Sequence, residues 1–140
     1  MSERLKQFLD DVLEGRNKSF EEILNNDRSL QRRYRTMMLN LELSELTLDC
    51  CLKEIAESLF KESGNNGSVI SLLMLAKVLD NFHTAHSTWY RRTLLIDILC
   101  DIFEANAHIF HKIKPEWASF VDISLYLFTF FVIFVILYQQ

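Results

Sequence analysis

His83 and His86 lie three residues apart, as do His108 and His111, with Asp80 and Glu104 near them in the chain. Such spacing can place two ligands on one helix face, and these residue types suit a divalent metal. A helical metal site, however, needs matching ligands on other helices. These histidines fall at or near helix ends, where solvated polar side chains are common, so no metal and no cofactor are expected. Arg28, Arg32 and Arg35 share a helix face, with Arg33 beside them, and guanidinium groups so arranged can touch phosphates. In a chain of net charge −4 they read instead as a solvated face offsetting an acidic first helix, and no nucleic-acid partner is expected. No nucleophile elbow, phosphate loop or paired catalytic carboxylates stand out, so the sequence supports no enzyme. Cys50, Cys51 and Cys100 form no C-x-x-C pattern and are expected to be reduced core thiols.

The elements that carry these residues read as helices. The 140 residues suit one domain, and only three glycines and one proline interrupt them. Leu5, Phe8, Leu9, Val12 and Leu13 follow the i, i+3, i+4, i+7, i+8 pattern of an amphipathic helix, which Gly15 can end. Ser19 and Glu22 form a capping-box signature before a second helix with Phe20, Ile23 and Leu24. That helix runs on, or breaks near residues 25–27, before Tyr34, Met37, Met38 and Leu41. Ser44 is expected to cap the next stripe, made of Leu48, Cys51, Leu52, Ile55, Ala56 and Leu59. Residues 69–79 have only Ser71 and Lys77 as polar interruptions, so this stretch must be covered on every side and reads as a central helix. A turn is expected over residues 81–87. Leu94, Leu95, Ile98, Leu99, Ile102 and Phe103 then make another broad stripe, and Pro115 marks a break. Met37, Met38 and Met74 are core gap-fillers on spacing alone, although methionines also line adaptable grooves.

The C-terminal end has a different character. Residues 123–138 read ISLYLFTFFVIFVILY, apolar except for Ser124 and Thr129. Sixteen residues make a helix of about 24 Å, against a bilayer core of about 30 Å. The segment is expected to anchor the chain in a membrane, carried by Ile123, Leu125, Phe128, Phe131, Ile133, Phe134 and Ile136; a buried core helix is the other reading. The chain thus divides into a helical bundle over residues 1–119 and an apolar segment over residues 120–140.

The stretch SLFKESGNNGSVISLLMLAKVL, residues 58–79, resembles the first homology region of the Bcl-2 family of apoptosis regulators. Leu59 and Phe60 match that region's apolar pair, Asn65 and Gly67 its asparagine and glycine, and Val69, Ile70 and Leu72 continue its helix. EWASFVDI, residues 116–123, resembles the end of the family's second homology region through Trp117, Phe120, Val121 and Asp122. RYR at 33–35 is similar to the end of the family's second helix. The short chain, with no long loop between its first two helices, resembles the viral homologues of the family, of the iridovirus type.

The resemblance implies an all-α, Bcl-2-like bundle around a central hydrophobic helix, with a C-terminal apolar tail helix. It implies a surface groove that takes the amphipathic death-motif helix of pro-apoptotic Bcl-2 family proteins. By position the groove would comprise Tyr34, Met38, Ile55, Leu59, Ile70 and Leu75 as floor, with Asn65, Gly67 and Ser68 at the rim. Core packing is the alternative for each floor residue. Leu59→Glu is expected to abolish partner binding while the bundle stays folded. Asn66 and Ser68 stand where the family has tryptophan and arginine, so the usual cation opposite the partner's aspartate is missing. The implied function is inhibition of apoptosis at an intracellular membrane, the outer mitochondrial membrane facing the cytosol, or in the cytoplasm if the tail is buried. The other reading is a self-associating, membrane-linked structural or assembly protein, a homodimer through its apolar face, whose groove captures no peptide.

Overall fold

The computed structural model describes residues 3–26, 28–62 and 66–106, and these form six helices and no strand. They are α1 (Glu3–Glu14), α2 (Lys18–Asn25), α3 (Arg28–Leu39), α4 (Leu48–Glu62), α5 (Asn66–His86) and α6 (Arg92–Ala105). His108, His111, Pro115, Asn65, the 116–123 stretch and every expected anchor residue lie outside the described residues.

α5 organises the bundle. Every residue from 67 to 80 is buried, and α1, α3, α4 and α6 all pack against it. A helix apolar on all faces requires this arrangement, because each exposed Leu or Ile would forfeit about 1.5–3 kcal/mol of burial. Its neighbours are amphipathic. α1 buries Leu5, Leu9, Val12 and Leu13, and α6 buries Leu95, Ile98, Leu99, Ile102 and Phe103. α4 turns Leu48, Leu52, Ile55 and Leu59 inward. Cys100 lies in the core, but Cys50 is exposed and Cys51 half-buried, which corrects the expectation of three core thiols. Cys50 stands two residues from both Leu48 and Leu52, about 200° round the helix from each, and so faces away from the stripe.

The helix ends show where local chemistry overrode pattern. Gly15 sits at φ +83 after α1, donating to the Val12 carbonyl at 3.3 Å while Arg16 donates to that of Asp11 at 2.8 Å. These two bonds are a Schellman motif. The Arg16 side chain then turns back to Asp10 and Asp11. α2 is capped by Asn17, whose Oδ1 accepts from the Phe20 amide at 3.0 Å. Ser19, the expected cap, lies within the first turn, because the Schellman reversal ends at Arg16 and Asn17 is the first residue free to cap. Before α4, the Ser44 amide donates to Thr47 Oγ1 at 2.8 Å, and the Thr47 carbonyl accepts from Cys51 at 3.0 Å. The Ser44 carbonyl accepts from the Leu48 amide at 3.0 Å, so Ser44 opens the hydrogen-bonded turn that leads into α4. α5 continues to His86, through the turn expected at 81–87. No glycine or proline interrupts residues 81–86, and Phe82 stacks on His86 one turn later, with ring centroids 4.5 Å apart.

Gly15→Ala is expected to lower stability by about 1 kcal/mol, because an L-residue in the left-handed region is strained. A Cβ there would also meet Glu21 Oε1 at 3.4 Å. Asn17→Ala is expected to cost about 1 kcal/mol through loss of the cap. Urea denaturation midpoints of the two variants against the parent check both values.

Candidate functional site

The residues assigned to the groove floor come from three helices and all lie in the bundle's one apolar core, which also takes in residues of α1, α2 and α6. Tyr34 and Met38 project from α3, Ile55 and Leu59 from α4, and Ile70 and Leu75 from α5. All six are buried, as are Gly67 and Ser68 at the start of α5. Gly67 is the second residue of α5 and lies within its first turn. The Tyr34 phenol is enclosed against Ser71, and burial raises its pKa, partly offset by that hydroxyl. These contacts are core packing, so the floor is closed rather than open to solvent. Leu59 has no exposed surface, which overturns the expectation that Leu59→Glu leaves the bundle folded. A carboxylate there would be desolvated without a partner cation.

The other end of α5 carries the polar chemistry of the interior. Lys77 and Asp80 are one turn apart, both buried, and each meets the end of another helix. Lys77 Nζ donates to the Leu13 carbonyl in the last turn of α1, at 2.5 Å, and lies 3.7 Å from Glu21 Oε1. Asp80, only 1 % exposed, accepts from Tyr90 Oη at 2.6 Å and from Arg92 Nε and Nη2 at 3.2 and 3.0 Å. Arg92 extends the chain of charges by pairing with Glu14 at the end of α1. The Asp80 hydrogen bond drives the Arg92 pKa further up. Burial, reinforced by Asp80, raises that of Tyr90. Spacing reasoning assigned no role to Tyr90, Arg92 or Glu14. The signal that could have found them was the pair of charges Lys77 and Asp80 at the end of an otherwise apolar run.

His83 lies one turn beyond Asp80, ringed by Phe82, Trp89 and Tyr90 at centroid distances of 5.0–5.8 Å. Its Nδ1 is 2.7 Å from Ser87 Oγ, and its buried Nε2 has no hydrogen-bond partner among the described residues. His86 instead donates through Nδ1 to the Phe82 carbonyl at 2.9 Å. The two histidines thus serve separate local contacts. Among the described residues no group of three His, Cys, Asp or Glu side chains comes together to hold a metal. No described helix is long and apolar enough to cross a membrane.

Burial, with the nearby His86 charge, lowers the His83 pKa from its ordinary value. The unfolded chain therefore takes up this proton first. The His83 contribution to stability is whole above about pH 6.5 and is lost as pH falls below it. The titratable neighbours are His86, Asp80 and Tyr90, with Arg92 as the fixed charge. A melting series from neutral to mildly acidic pH is expected to show a falling Tm whose slope shrinks in His83→Gln and persists in His86→Gln. Asp80→Ala is expected to cost about 3 kcal/mol, since it strands Tyr90 and one face of Arg92. Chemical denaturation at neutral pH measures it.

Comparison with protein-family models, curated proteins and solved structures gives no match, so the chemistry of this chain rests on its own residues.

Proposed function

We propose that this chain is a non-enzymatic, partner-binding bundle that inhibits cell death by sequestering pro-apoptotic Bcl-2 family proteins through their death-motif helix. The observation that supports the reading is that Tyr34, Met38, Ile55, Leu59, Ile70 and Leu75, from α3, α4 and α5, all belong to the apolar core built around the central helix. An amphipathic helix presents apolar anchors at i, i+3 or i+4, and i+7, and a patch built from three helices can receive them. Sixfold burial of these side chains means that capture proceeds by opening: the partner's apolar face takes the place of the contacts that close the cluster. Ser68, fully buried where the family carries an arginine, leaves recognition to apolar anchors. The membrane role belongs to residues 120–140, with the outer mitochondrial membrane as the proposed site.

Titration of the folded protein with a panel of death-motif peptides is expected to give saturable binding by at least one. Hydrogen exchange in the complex is expected to change in α3, α4 and the first half of α5. Absence of binding to every peptide by folded protein defeats the mechanism. Binding whose exchange changes fall only on α1 and α6 defeats this placement of the groove. Truncation to Leu59→Ala is expected to destabilise the bundle by about 2–5 kcal/mol, so any affinity measured for it is compared under conditions where circular dichroism shows a native helix content.

A further inference from the structure

α3 has two faces, and the outward one lines an open cleft. Tyr34, Met37 and Met38 point into the core, whereas Arg28, Arg32 and Arg35 are exposed along one wall of that cleft, which holds about 550 Å³. The opposite wall comes from the second half of α5 and includes Val78, Phe82 and His86. Arg35 lies over the Phe82 ring, 5.9 Å from its centroid, and His86 stacks with the same ring at a centroid distance of 4.5 Å. Val78 and Phe82 are one turn apart and make a short apolar strip beside the arginine row.

We propose that this cleft binds the acidic edge of an amphipathic helix on a partner protein. Ion pairs among the described residues engage Lys6, Arg16, Lys53, Lys77 and Arg92, and none engages Arg28, Arg32 or Arg35. Three guanidinium groups thus face the cleft with no carboxylate among the described residues. Their spacing of four and then three residues corresponds to rises of about 6 Å and 4.5 Å along the helix. Glutamates at the same spacing on a second helix reproduce those rises, and an adjoining apolar residue would rest against the half-buried Phe82. Guanidinium–carboxylate pairs of this kind are the stronger, directional class of hydrogen bond, and the cleft wall shields them on one side. Strung along about 10.5 Å of helix, the row does not converge on one phosphate. An extended polyanion or an anionic membrane would meet the net charge of −4 beyond the cleft. A short acidic helix avoids that repulsion, because screening confines the interaction to about 8 Å. The site is independent of the groove, whose α3 members Tyr34 and Met38 face inward.

The test uses the full chain and a labelled synthetic helix bearing glutamates at four- and three-residue spacing with leucines on the adjoining face. The controls are the same peptide with glutamine for glutamate, inorganic tripolyphosphate, and vesicles containing phosphatidylserine. Fluorescence anisotropy is expected to show saturable binding of the glutamate peptide that weakens as salt rises. Arg32→Glu is expected to weaken it about tenfold or more. Arg32 is exposed, and its backbone carbonyl still accepts from Thr36 in the variant, so the helix is retained; Arg28→Gln provides a milder second variant expected to weaken binding in the same direction. No saturable binding overturns the proposal, as does equal binding of the glutamine peptide or indifference to both substitutions. Arginine-dependent capture of tripolyphosphate or vesicles without capture of the peptide also overturns it, in favour of a phosphate site. Failure of the death-motif panel leaves this result untouched, because the two sites share no residue.

Discussion

The constraint on which the bundle depends is that its central helix must be enclosed on every side and yet carry two charges. Lys77 and Asp80 are buried within α5, where an unpaired ion would be too costly to keep. Each is satisfied by the end of a different helix. Lys77 takes the last-turn carbonyl of Leu13 in α1, and Asp80 takes Tyr90 and Arg92 at the start of α6. Glu14 then closes the circuit from α1 to Arg92. Interdigitated apolar side chains already resist sliding of α1 and α6 along α5, and the directional polar bonds add to that resistance. The charges set the axial position of both helices to within a hydrogen-bond length. This is the specificity role that buried polar groups can play at some cost in stability.

That anchoring explains the rest of the N-terminal half. Once Leu13 is held by Lys77, the chain must reverse at once to bring α2 across the bundle. Gly15 supplies the left-handed residue and Asn17 the cap, within three positions. Glu21, in the first turn of α2, points back toward Lys77 and shares its charge. The turn, the cap and the buried lysine therefore form one cooperative unit, rather than three separate local preferences.

Much of this architecture was legible in the sequence. The stripes of α1, α4 and α6 follow their apolar spacing, Gly15 ends α1, and residues 69–79 are central because no face of that stretch is polar. The errors share a cause. Ser19 satisfies a capping signature, but the preceding Schellman turn makes Asn17 the first available cap. Residues 81–87 contain polar side chains that suggest a turn, but the Phe82–His86 stack and the seat of His83 against Trp89 and Tyr90 carry the helix to His86. In each case a tertiary or neighbouring contact decided between two locally acceptable states. The candidate floor was legible as a set of apolar residues. Its closure was not, because spacing assigns a side chain to a face and says nothing of what covers it. The network of Tyr90 and Arg92 was invisible for a related reason: its members are ten and twelve residues from Asp80 and meet only after the chain reverses.

Closure of the floor changes what partner binding would require energetically. A helix that docked on Tyr34, Met38 and Leu59 would first have to gain access to side chains with almost no exposed surface. The opening free energy then subtracts from the intrinsic affinity: an opening cost of about 4 kcal/mol lowers the apparent affinity about a thousandfold. Partners with large apolar anchors can recover that cost, because the contacts they make resemble the ones they replace. Partners that rely on a single charge pair cannot, and Ser68 offers none. The arginine face of α3 has no such barrier, since its side chains are already in solvent. Under the two proposals the surfaces separate kinetically: the exposed basic row would engage a partner at first encounter, and the enclosed apolar core would answer only to a helix able to replace its packing.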